Sequence, residues 1–217
     1  TLSGNSNLGF GTGLGSLTTG SGNVQVGVNS LLGVTTGSSN LAVGTNCLRT
    51  ISTTSDNTGF GHNAGYSATG STNFYMGTSA GYYHAGNNCL IFGAYAGYGS
   101  SGTTTFNDSV LVGIHSGNAL TTGGENTMIG FWSGKTTNPA NATTTGLQNT
   151  YLGAYAGQAS ATQRNRAIAL GYRAFVDADN TCVIGGTGFF LVDGVIGATT
   201  AGAHWDVVGG ADKIQLR

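Results

Sequence analysis

One short unit recurs along this chain and limits what it can fold into: a small polar residue, most often asparagine, then apolar residues, then glycine. It reads NLGFG at 7–11, NVQVG at 23–27, NLAVG at 40–44, NTGFG at 57–61 and NFYMG at 73–77. It continues as CLIFG at 89–93, SVLVG at 109–113, NTMIG at 126–130, NTYLG at 149–153, AIALG at 167–171 and TCVIG at 181–185. The eleven closing glycines are separated by 16, 17, 17, 16, 16, 20, 17, 23, 18 and 14 residues. A nearly fixed short period implies a solenoid in which each unit contributes one coil.

Each unit has strand chemistry. Side chains alternate along a strand, so the residues one and three before the glycine share a face, as in Val24/Val26, Leu90/Phe92 and Val110/Val112. The glycine suits a sharp bend. A second element follows it, Gly-x-x-[Ala/Ser]-Gly, as in GHNAG at 61–65, GTSAG at 77–81 and GFWSG at 130–134, where a small residue fits a tightly closing coil. Ser/Thr/Gly tracts then turn the chain back, and length varies in these tracts, notably at 98–108 and 135–148. No segment shows sustained helical periodicity, and frequent glycine opposes helix. The fold class expected is all-β: a parallel β-roll or β-solenoid of about eleven short coils over 1–186, about 50 Å long at strand spacing. Residues 187–217 break the pattern and are expected to form a C-terminal cap, tip or connector.

The residue two before each glycine points to the opposite face, and among these only Gln25 is plainly polar. Both strand faces are therefore apolar. One lines the coil; the other needs a partner outside the chain, and residues such as Tyr75, Leu111 and Tyr151 are expected on that outer face. Composition agrees, because only 7% of residues are charged, against about 25% in an ordinary soluble domain. Parallel copies around a common axis would bury the outer face, and threefold symmetry closes such a bundle, so a homotrimer is expected.

The units NRAIALGYRAF at 165–175 and NTCVIGG at 180–186 resemble the head repeats of trimeric autotransporter adhesins, which are left-handed parallel β-rolls. The longer units NTGFGHNAGYSATGSTN at 57–73 and NTYLGAYAGQAS at 149–160 are similar to repeats of phage tail fibres and related bacterial surface fibres, which often end in a self-cleaving intramolecular chaperone. The resemblance covers about residues 7–186 and implies a trimeric fibre outside the cell or on a virion, attaching to cell-surface glycans or proteins. The spacing is longer than that of autotransporter heads, and no chaperone domain is visible.

Other chemistry leaves little trace. GYGSSG at 97–102 matches a dinucleotide-loop pattern by chance in a chain with 40 glycines, and GFWSGKT at 130–136 is one residue short of a phosphate loop. A net charge of −1 without a basic stripe argues against nucleic acid, and no apolar run is long enough to insert in a membrane. Three distant cysteines read as small apolar fillers, and scattered acids read as turn residues rather than a glycosidase pair. No cofactor, metal or catalytic residue is implied.

What remains are aromatic side chains, whose flat faces suit sugar rings although packing is their commoner role. Tyr82, Tyr83 and His84 cluster in a loop, and Tyr95, Tyr98, Phe131, Trp132 and Tyr155 follow closing glycines. In the C-terminal region Phe189, Phe190, His204 and Trp205 would be available at a tip. The ligand-contact candidates are Tyr82, Tyr83, His84, Trp132, Phe189, Phe190, His204 and Trp205. Attachment through these is the leading functional expectation. A plain fibre spacer, a tail-spike-like depolymerase with an inter-chain site, and ice binding by Thr arrays are the alternatives.

Overall fold

The computed structural model describes residues 6–13, 16, 18–100, 104–135, 138–185 and 191–192. The strands run in chain order: β1 (Leu8–Thr12), β2 (Val24–Val28), β3 (Leu41–Val43), β4 (Thr58–Phe60), β5 (Phe74–Met76), β6 (Leu90–Phe92) and β7 (Val110–Val112). Then come β8 (Thr127–Ile129), β9 (Thr150–Leu152), β10 (Gly157–Gln158), β11 (Ile168–Leu170), β12 (Phe175–Val176), β13 (Cys182–Ile184) and β14 (Leu191–Val192). Strands β1 to β9, β11 and β13 stack as eleven parallel neighbours in one sheet, and β14 joins β13 antiparallel. β10 and β12 form a small parallel pair on the return side. The chain is thus an all-β parallel solenoid, and its ladder register aligns every unit of the sequence repeat.

Register stacks like positions into columns. The column two before the closing glycine runs Gln25–Ala42–Gly59–Tyr75–Ile91–Leu111–Met128–Tyr151–Ala169–Val183. This column is the coil interior: Tyr75, Leu111 and Tyr151 are completely buried. The expectation that they face outward is therefore corrected. Most of these strands are three residues long between two corners, so only the middle side chain fits inside the narrow coil. The flanking columns point out instead, leaving Leu90 39% and Phe92 46% exposed. The two-faced apolar strand survives with its faces exchanged.

Interior volume is matched across coils. The ring of Tyr75 is flanked by Gly65 and Gly81, and a Cβ at Gly81 would stand 2.3 Å from it. The bend after each strand has the same intolerance. Gly93 has φ +139°, and a Cβ there would meet the Gly113 carbonyl oxygen at 2.4 Å.

The asparagines that open the units are buried and bonded from coil to coil. The Asn57 backbone N–H donates to Asn40 Oδ1 at 3.0 Å, and the Asn73 N–H donates to Asn57 Oδ1 at 3.1 Å. Each amide also donates across its own coil: Asn57 Nδ2 to Gly70 O at 3.0 Å, Asn73 Nδ2 to Gly86 O at 2.9 Å. The ladder passes through Asn7, Asn23, Asn40, Asn57 and Asn73, lapses at Cys89 and Ser109, then resumes at Asn126 and Asn149. Ser109 keeps half the role, since its Oγ accepts the Asn126 N–H at 3.1 Å.

Asn57→Ala strips partners from two buried backbone groups, at about 1–3 kcal/mol each. The urea midpoint should fall accordingly, while Asn57→Ser, able to act as Ser109 does, should fall less. Equal losses would mean that the ladder is not what the amide contributes. Gly93→Ala should be worse than either, failing to give folded protein by circular dichroism.

Candidate functional site: an aromatic stripe with cationic ends

Counting from each closing glycine places the surface aromatics in columns. Two positions after it the backbone is left-handed (φ near +57°) at Tyr95, His115, Trp132 and Tyr155. That conformation costs a residue with a Cβ roughly 1–2 kcal/mol. The rings offset it by stacking. Tyr95 and His115 lie 5.1 Å apart at 10°, and His115 and Trp132 lie 4.1 Å apart at 9°. Such pairs contribute about 0.5–1.5 kcal/mol beyond burial. Lys135 Nζ sits 4.0 Å from the centre of the Trp132 ring.

Five positions after the glycine a second column runs through six consecutive coils: Arg49, Tyr66, Tyr82, Tyr98, Asn118 and Lys135. Tyr66 and Tyr82 stack at 4.7 Å and 11°, and Tyr98 follows Tyr82 at 5.2 Å. Arg49 closes one end, its Nη1 donating to the Tyr66 hydroxyl at 2.8 Å and its Cζ 5.4 Å from that ring. Tyr83 packs edge-on against Tyr82 (4.6 Å) and Tyr98 (5.6 Å). Tyr98 contacts Tyr95 at 5.7 Å, which joins the two columns into one stripe. These tyrosines are half-buried except Tyr95, which is exposed.

Burial, then the neighbouring phenols, raise the Tyr82 and Tyr98 pKa values, so both hydroxyls stay protonated and able to donate. Burial, then the Lys135 charge, lower that of His115. Among the described residues the stripe from Arg49 to Lys135 carries no carboxylate, and neither cation has an ion pair. The acids Asp56, Asp108 and Glu125 lie at the other end of the strands, two residues before β4, β7 and β8.

The sequence candidates separate accordingly. Tyr82 and Tyr83 lie together on the stripe, and Trp132 joins it through His115 and Lys135. His84 does not: it is completely buried, with its ring tilted at 39° and 4.3 Å from that of Phe106. Its Nε2 donates to the Phe106 carbonyl at 2.8 Å and its Nδ1 accepts the Tyr75 hydroxyl at 2.9 Å, which leaves no ring nitrogen for a ligand. Phe189, Phe190, His204 and Trp205 lie outside the described residues. Arg49, Tyr66 and Lys135 escaped sequence reasoning, although counting five residues from each closing glycine places all three in the Tyr82 column.

The stripe offers phenol hydroxyls, ring edges and two cations, which suits binding. Buried Cys47 and Cys89 have thiol pKa values pushed up to about 12, mainly by burial, and are poor nucleophiles. No group of three His, Cys, Asp or Glu side chains among the described residues is placed to hold a metal ion. Compared with known proteins, the chain matches no family model, no curated protein and no solved structure.

Burial lowers the His84 pKa from 6.5 to about 4. Below pH 6.5 the unfolded chain takes up this proton first, so stability is full above that pH and declines as pH falls towards about 4. The loss amounts to about 3 kcal/mol. Denaturant midpoints across this window should drop for the wild-type chain and drop much less for His84→Gln; parallel slopes would assign the effect elsewhere.

Proposed function

We propose that the chain is a segment of a parallel homotrimeric fibre, borne on a cell surface or virion, that attaches to cell-surface glycans or protein receptors. The observation that carries this is the distribution of exposed apolar surface. Of fourteen large exposed hydrophobic side chains among the described residues, all but Tyr95 and Leu147 sit on outward strand positions or directly after a closing glycine. They form one face. It includes Phe10, Val26, Phe92, Ile114, Phe131, Leu152 and Ile184, the most exposed being Phe10 at 62%.

Eleven strands spaced at about 4.8 Å make this face about 50 Å long and about 10 Å wide. Its accessible area exceeds that flat projection. A continuous apolar patch of this size marks a protein contact rather than a wetted surface. A parallel copy brings the same ladder alongside at every coil, and rotation about an axis along the rod lets every copy cover its neighbour. The resemblance of the repeats to trimeric adhesin heads sets the number at three. The aromatic columns adjoin this face at Phe131, whose ring meets Trp132 at 6.0 Å, and the Arg49 to Lys135 column beyond them is the surface we assign to a receptor.

A plain spacer is the second reading, favoured by the stacked rings, which spend their faces on one another. Retention of the assembled fibre on immobilised cell-surface glycans separates the two.

Light scattering should give a species of three times 21.7 kDa. Phe92→Glu, on the exposed face, should dissociate it while leaving the β-sheet circular dichroism intact. A folded wild-type monomer at micromolar concentration would remove the physical support for a fibre.

A further inference from the structure

The column that starts at Arg49 and ends at Lys135 has a property its rings alone do not explain. Both ends are cations, four uncharged residues lie between them, and no carboxylate neutralises either end among the described residues. Elsewhere in the described chain carboxylates accept hydrogen bonds from neutral amides. Glu125 Oε2 accepts from Gln148 Nε2 at 3.0 Å, and Asp108 Oδ1 accepts from Asn88 Nδ2 at 3.0 Å. At the stripe the cations are held over aromatic rings, Arg49 over Tyr66 and Lys135 over Trp132, as Arg173 is over Tyr172 two coils beyond. Rings in these positions fix a cation in place without discharging it.

The geometry points to an extended anionic glycan as the ligand of this stripe, lying parallel to the solenoid axis, with acidic groups at Arg49 and Lys135 and hydroxyls on the phenols between. This deepens the adhesive reading above and rests on it. Five coil steps separate the two ends, about 24 Å at strand spacing. That is the length of a short oligosaccharide rather than of one sugar. An arginine fork that gives one N–H to Tyr66 keeps further donors for a carboxylate or sulfate. Tyr66 stacks on Tyr82, and Tyr98 follows tilted at 31° and 5.2 Å, so three phenols succeed one another along the axis. Hydroxyl-rich ligands with sparse charge match such a row. A nucleic acid strand, with a phosphate at every step, does not match two cations so far apart.

The assembled fibre is titrated by calorimetry at low and moderate salt with an octamer of galacturonate, its fully methyl-esterified form, a sulfated oligosaccharide of similar length, and a thymidine oligonucleotide. The galacturonate or the sulfated chain, or both, should bind, and which of them does identifies the anion. The ester should bind at least tenfold more weakly. Arg49→Gln and Lys135→Gln should each weaken the acidic octamer about tenfold without moving the melting temperature or the oligomer mass. Tyr82→Phe, which keeps the stack and removes one hydroxyl, should weaken it severalfold. A galacturonate dimer, too short to reach both ends, should bind weakly and lose little further in either single variant.

Equal binding of acid and ester would overturn the anionic assignment while leaving glycan attachment standing. Equal or tighter binding of the oligonucleotide would overturn the glycan in favour of nucleic acid. Unchanged affinity in both cation variants would move the site off the stripe. Retention of no glycan of any class by an intact trimer would overturn this inference and the glycan half of the adhesive reading, leaving protein receptors.

Discussion

A primary amide carries an acceptor oxygen and two donor hydrogens, and in this solenoid a buried amide applies all of them to backbone that water cannot reach. The oxygen of Asn57 takes the N–H of Asn73 in the next coil, and its nitrogen holds the returning loop of its own coil at Gly70. A coil this narrow has backbone on every side of its core, so each turn buries polar groups that no strand ladder can satisfy. Asparagine answers that need at one corner, and glycine permits the backbone to turn at the other. The lapse at Cys89 and Ser109 falls where the loop at 98–108 lengthens the coil and Phe106 enters the core. There the Cys89 thiol reaches the Phe106 carbonyl at 3.8 Å and the Ser109 hydroxyl accepts the Asn126 N–H, each covering part of what the amide does.

Because the interior admits one side chain per strand, the outside receives two, and that arithmetic sets the character of the surface. An ordinary sheet protein would place polar residues on the outward positions. Here those positions are Val, Leu, Ile, Phe and Met with a few Thr, while the loops are Ser, Thr, Asn and Gly. Polar solubility is thus concentrated on the return side of the coil and apolar area on the strand side. The apolar side is what the proposed lateral assembly would cover.

The same vertical register that forms the core also builds the stripe. A residue type repeated at a fixed distance from the closing glycine becomes a stack at coil spacing, so four rings in one column and three in the next build the aromatic surface. Stacking makes left-handed backbone tolerable at Tyr95, His115 and Trp132, where asparagine and serine stand in earlier coils such as those of Asn46, Asn63 and Ser79. Function of this kind is added to a solenoid column by column, with no change to the coil beneath it.

Repeat spacing, alternation and the left-handed freedom of glycine were enough to give the solenoid, its period, the eleven stacked strands and the bend at each glycine, because these are local; the return-side pair β10 and β12 was not legible. The sequence by itself also located Tyr82, Tyr83 and Trp132 as surface aromatics. Only the tertiary structure decided which strand face turned inward, since alternation defines two faces without saying which one a narrow coil can enclose. It alone withdrew His84 into the core, because burial depends on the Phe106 loop closing over a residue twenty-two positions earlier. The column of Arg49, Tyr66 and Lys135 was countable from the closing glycines, but the ring and cation contacts along it are tertiary, because coil register brings residues far apart in sequence side by side.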